Sequence, residues 1–268
     1  MAITAYSYFA VPKQWVDYQY VLFVGSSTLL LYSLHRIIGI KKSESYANQG
    51  RFAIIIKYKS HLIVYSILSA IYCLYAYYTF DWTRRLLLII PTILSLSYSL
   101  PIFLGGKRLR DFHWIKIFLI AICWAVITCT IPLYELQIYS NIDMCLLTIE
   151  RCLFIFAITI PFDIRDRKID LINNVKTLAT RYNNETLKKI SWICLAMAAI
   201  IASISYYNIY KIPSIITYII TAYLISQTSE DRNDYFYTGK MDGTMMLPIL
   251  VCIGASMMLL LFSVLVGI

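Results

Sequence analysis

Apolar residues run along this chain in long blocks, close to the ~20 residues a helix needs to cross a bilayer. The blocks read as eight spans: Tyr18–Ile40, His61–Phe80, Leu86–Leu104, Trp114–Tyr134, Asp143–Phe162, Ile190–Tyr210, Pro213–Ser229 and Met245–Ile268. A ninth apolar piece, AITAYSYFAV, precedes them but is too short to span. It has no basic leader and no small-residue cleavage site after it, so a signal peptide is not indicated. The pattern predicts an all-α fold, a polytopic transmembrane helical bundle of about eight full spans. Residues 1–268 form a single integral-membrane domain in this reading, with 1–17 the stub of a truncated first helix.

Composition supports the class. Of 268 residues 59% are apolar and 15% charged, and mean hydropathy is positive, unlike a water-soluble domain of this length. The +9 net charge is unevenly spread. Seventeen Lys and Arg residues fall in one set of alternating loops (around 41–59, 107–110, 165–189 and 232–240), against four in the opposite set. The positive-inside rule makes the crowded side cytoplasmic. This predicts a multi-pass protein of a bacterial-type cell membrane, with any chemistry facing the cytoplasm, where all the longer polar connections lie. Cations divided among four loops of a lipid-embedded chain argue against nucleic acid as a partner.

Near residue 163 an apolar block passes directly into carboxylates, FAITIPFDIRDRKID. Asp163, Asp166 and Asp170 stand at offsets 0, 3 and 7, within about 60° of one helix face. At ~6 Å and an effective dielectric of ~20, each pair repels by on the order of 3 kcal/mol, so something cationic belongs among them. One reading is Mg²⁺, held by carboxylates and completed by water and a phosphorylated substrate. The other is a solvated helix end neutralised by Arg165, Arg167 and Lys168. Spacing leaves both open.

Charges also occur inside a span. Glu150 and Arg151 lie midway along Asp143–Phe162, where an ionised group costs roughly 2.5–3.5 kcal/mol to insert. Adjacent side chains point about 100° apart, so they do not simply neutralise each other; each is expected to face the bundle interior or a wet cavity and find a partner on another helix. SEDRNDYFYTGKMDG supplies further acids, Glu230, Asp231, Asp234 and Asp242, which read first as a solvated loop. The seven cysteines form no CxxC pair and three scattered histidines suggest no imidazole metal centre.

DIRDRKID…KTLATRY is similar to the second aspartate motif, and the T-L-x-x-R segment behind it, of the UbiA superfamily of intramembrane prenyltransferases. Helical spans over nearly the whole chain suit that family's nine-helix fold, though only about Ser140 to Tyr182 is specific. The resemblance implies a prenyltransferase moving an isoprenoid chain from a prenyl diphosphate to a lipophilic or aromatic, quinone-pathway acceptor, with Mg²⁺ as cofactor. Asp163, Asp166 and Asp170 would be its catalytic metal ligands.

Two departures stand beside it. The family's first acidic motif belongs where this chain has YSLHRIIGIKK, and no Asp or Glu lies between Asp17 and Glu44. A family Y-x-x-x-K pattern also fails at Tyr98, where Ile102 holds the lysine position and Lys107 is the nearest substitute. Half a first span is missing too, which points to a start upstream of Met1. A diphosphate leaving group develops negative charge as the allylic carbon ionises. With one acidic face absent, His35, Arg36, Lys107, Arg108, Arg110 and Arg167 are expected to supply positive charge to it, arginine being suited to bidentate phosphate contact. The alternative is a catalytically silent membrane protein that holds an isoprenoid or polyprenyl phosphate. A transporter on the same fold is a third reading, to which the prolines near span ends give little support.

Overall fold

A computed structural model describes residues 1–9, 16–42, 56–102, 108–112, 115–137, 139–172, 175–205 and 208–266. Among them the chain is helical, with no strand. Contacts divide it into two compact units: Met1 with Asp17–Phe112, and Ala2–Val16 with His113–Ile268.

Unit 1 is built from α2 (Tyr18–Lys42), α3 (Lys59–Thr79) and α4 (Trp82–Ser99), closed by a 3₁₀ turn at Leu109–Asp111. Asp17 starts α2 by accepting the Tyr20 N–H at 2.9 Å, and Asp81 starts α4 by accepting the Arg84 N–H at 3.0 Å. Both satisfy donors that a helix start leaves bare. Arg84 pairs with Asp17 at 2.8 Å and lies over the Phe80 ring, fastening α4 to the α2 start. Outward faces carry Leu68, Ile71, Leu74, Ile90 and Ile93 exposed, a surface suited to lipid rather than water.

Unit 2 holds a short α1 (Ala2–Phe9), α5 (Ile115–Leu136), α6 (Asn141–Ile172), α7 (Asn184–Ser205), α8 (Asn208–Ser226) and α9 (Leu247–Val266). Its core gathers Leu147, Phe154, Ile155 and Ile158 of α6 against Leu195, Ala198 and Ala202 of α7. The small residues on α7 let the two backbones approach closely, as membrane helices favour when packing rather than the hydrophobic effect joins them.

Six helices are long and apolar enough to cross a membrane among the described residues, namely Tyr18–Ile38, Lys59–Thr79, Ile115–Leu136, Asn141–Ile172, Asn184–Ser205 and Phe236–Met258. The other two blocks are helical but weaker: Lys211–Ser226 is short, and α4 includes Arg84 and Arg85. The largest difference from the sequence pattern is α6. Its apolar block ends at Phe162, yet the helix continues unbroken through the acidic run to Ile172. Pro161 lies inside it, at the cost of one backbone hydrogen bond to the turn before. A Ser140–Asp143 pair, Ser140 Oγ accepting the Asp143 N–H at 3.1 Å, sets its start.

The short N-terminal helix is a core element. Ile3, Tyr6 and Tyr8 are buried, Tyr6 bonds Ser214 of α8 at 2.8 Å, and Tyr8 donates to Glu135 at 3.1 Å. It packs beside a π-helical turn at Val126–Thr130 inside α5. Pro132 has no N–H to offer the Thr128 carbonyl four residues back, and that carbonyl accepts from Ser7 Oγ at 2.7 Å. The same place receives Arg151 of α6, whose Nη1 donates to Ile3 O at 3.1 Å and Ser7 Oγ at 3.3 Å. Arg151 and Glu150 are 2% and 1% exposed. They also touch each other, Nε to Oε2 at 3.9 Å. The expectation of interior-facing side chains agrees with this. The expectation of partners on other elements agrees with the Arg151 contacts, and the loose 3.9 Å approach to Glu150 comes in addition.

Candidate functional site: the C-terminal third of α6

Ten residues of α6 beyond Phe162 carry every acid singled out from the FDIRDRKID run. Helical periodicity turns Asp163 and Asp170 inward, where both are buried, while Asp166 is half-buried and Lys168, Ile169 and Leu171 are exposed. Asp163, Arg165, Asp166, Arg167 and Lys168 each meet a charged partner of the protein. Asp163 Oδ1 accepts from Lys116 Nζ of α5 at 2.7 Å, with side chains 4% and 13% exposed. Asp166 accepts both prongs of its neighbour Arg165, Nε to Oδ1 at 2.8 Å and Nη2 to Oδ2 at 3.1 Å. The Arg165 guanidinium also lies over the Phe162 and Tyr237 rings.

Behind α6 the TLATRY segment forms a one-turn helix, Leu178–Arg181, framed by a capping box in which Thr177 and Thr180 serve each other's backbone N–H groups. Arg167 reaches back to it, donating through Nε to Ala179 O and through Nη2 to Tyr182 O at 2.9 Å. Its remaining prong meets Glu230. Lys168 pairs with Asp231 at 3.1 Å, both well exposed, and Arg165 comes within 3.9 Å of Asp234. Three acids of the second acidic segment therefore face cations of α6, Glu230 shielded and Asp231 and Asp234 still open to solvent as expected. Arg167, expected from the sequence to meet a diphosphate, binds two carbonyls and a carboxylate.

In unit 1 the candidates separate. Arg110 Nη1 donates to His35 Nε2 at 2.6 Å, and the Arg110 guanidinium lies 5.4 Å from the Tyr98 ring centroid. Those three side chains are thus together. Arg36 turns instead onto Tyr32 of the preceding turn, stacking at 4.4 Å and donating to its hydroxyl at 2.6 Å. Arg108 is half-buried just before the 3₁₀ turn. Lys107 lies outside the described residues.

Magnesium on Asp163, Asp166 and Asp170 can be tested against these contacts. Among the described residues no three His, Cys, Asp or Glu side chains are gathered so as to hold a metal ion. The ligand set implied by the sequence resemblance is not assembled, and the reason is local. Lys116 takes Asp163, and Arg165 takes both oxygens of Asp166. As they stand, the residues do not fit the ion. Lys116 was the residue sequence reasoning passed over. Its signal was a single cation one residue into an otherwise apolar helix start, WIKIFL, where a charge implies a buried partner.

Long apolar helices, with an ion-paired polar face on the extension of one of them, define an integral membrane protein of the multi-helix type. The model of the UbiA prenyltransferase family matches residues 55–234, well over half of the chain, and the chain belongs to that family. The match takes in the whole Asp163–Asp170 run and the TLATRY segment, and leaves α1, α2 and α9 outside. No curated protein and no solved structure matches the chain. Prenyltransferase-type chemistry on lipid substrates is the function this family suggests.

Proposed function

We propose that this protein is a divergent prenyltransferase that moves an isoprenoid chain from a prenyl diphosphate to a lipophilic or aromatic acceptor of the quinone type. The site is the Asp163 face of α6, turned to the cytoplasm of a bacterial-type membrane. The observation that carries the reading is the family match across a run whose first acid is buried beside an apolar core. In this scheme Asp163 and Asp166 act through the cations they already hold, Lys116 and Arg165, and Asp170 adds a further buried acid to the same face. Arg167 is reassigned to positioning: its bonds to Ala179 O and Tyr182 O keep the TLATRY segment against α6.

Membranes bearing the protein, supplied with prenyl diphosphates, Mg²⁺ and aromatic acceptors, yield prenylated product by mass spectrometry, and Asp163→Ala or Asp166→Ala abolishes it. Turnover unchanged in both variants would remove the proposal. A second reading, a silent holder of an isoprenoid phosphate, is favoured by one observation: the two front acids already carry protein cations. It predicts thermal stabilisation by geranyl S-thiolodiphosphate, whose C–S bond resists ionisation, with no turnover of any true diphosphate.

A further inference from the structure

Lys116 is the only cation in α5, Ile115–Leu136, and it reaches across to the first acid beyond the apolar part of α6. An ammonium nitrogen 2.7 Å from Asp163 Oδ1 stands where a divalent ion, bound at ~2.1 Å, would have to sit. The two cannot share that oxygen, because like charges about 3 Å apart in a site shielded from water repel strongly. Arg165 closes the neighbouring carboxylate in the same manner, by both oxygens. The Asp163–Lys116 pair is nearly enclosed, whereas the Lys168–Asp231 pair farther along α6 lies open to solvent.

We infer that Lys116 is a resident cation that takes the place of a divalent metal on Asp163, so that the resting acidic face is neutralised by the chain itself. The inference deepens the proposed function, since it concerns the charge state of that same face, but its test requires no substrate. Full-length protein in lipid nanodiscs is titrated with Mn²⁺ alone, and free Mn²⁺ is read by electron paramagnetic resonance. Wild type takes up no saturable Mn²⁺. Lys116→Met gains a site, its apparent affinity rising about tenfold or more, and adding Asp163→Asn removes it.

The inference is overturned if wild type binds Mn²⁺ in a way that Asp163→Asn abolishes. It is equally overturned if folded Lys116→Met binds no better than wild type. Where Lys116→Met gives no folded protein, the comparison of wild type with Asp163→Asn decides: equal weak uptake upholds the inference, and Asp163-dependent uptake ends it. Failure of geranyl S-thiolodiphosphate to bind at any Mg²⁺ concentration would remove the proposed function and leave the manganese result standing.

Discussion

Arg151 and Asp163 lie twelve residues apart on α6, both charged and both buried, yet their surroundings differ in kind. Arg151 is received by neutral oxygens from two other elements, Ile3 O and Ser7 Oγ of α1 and Thr128 O of the π-helical turn, with Glu150 at a loose 3.9 Å. Its partners are main-chain or short side-chain atoms that cannot move away without unpacking the core. Asp163 faces the mobile end of a single lysine. That ammonium stands on a flexible four-carbon stem and holds Asp163 through one contact. One helix thus carries a charge held by several elements, which serves assembly, and one neutralised by a single side chain, which suits a site.

Substitution at the fixed charge should break this contrast most severely. Arg151→Met leaves Glu150 buried without its counter-ion and removes the anchor of α1, at an expected cost of about 3–5 kcal/mol. Thermal unfolding in detergent, with hydrogen exchange at residues 2–9, would show the loss and its location. Lys116→Met comes next, at about 3 kcal/mol or a little less, because its pair is not fully enclosed. Asp163→Asn in the same chain should restore most of it, and a double-mutant cycle reads the coupling. No comparable rescue by a single second substitution is expected at Arg151, which is held mostly by neutral oxygens of two other elements and only loosely by Glu150.

Arg167→Ala removes charge-assisted bonds to Ala179 O, Tyr182 O and Glu230, about 1.5–3 kcal/mol if their partners rehydrate poorly. Faster proteolysis near Tyr182, with global unfolding little changed, would identify the loss as local. Lys168→Ala should change nothing measurable, since both members of its pair with Asp231 lie in solvent. A clear effect there would show that the acidic row beside α6 works as a network rather than as separate pairs.

Much of the fold could be read from the order of residues because lipid imposes a simple demand: long apolar blocks become helices. The blocks at Tyr18–Ile40, Asp143–Phe162 and Ile190–Tyr210 correspond to α2, α6 and α7. Hydropathy reports the medium around a helix and not its backbone, so it missed the ten residues of α6 after Phe162. Offsets of 0, 3 and 7 placed the three aspartates on one face, and of these Asp163 and Asp170 turn inward while Asp166 stays half-buried. What occupies it was not legible, because Lys116 is 47 positions away from Asp163 and only packing brings them together. Pro132 was in plain view as well, but its consequence, a carbonyl presented to Ser7 and Arg151, depends on where α1 docks.

The length of α6 carries one more consequence. Thirty-two residues measure ~48 Å along the axis. Leaning by as much as 40°, the rod still stands roughly 37 Å tall, more than the ~30 Å of oil it crosses. The surplus is enough to carry the acidic end to headgroup height, where, in the proposed reaction, a phosphate fragment would drift off into water while a greasy reactant stays behind among the acyl chains. Excess helix would then sort what comes and goes by polarity alone.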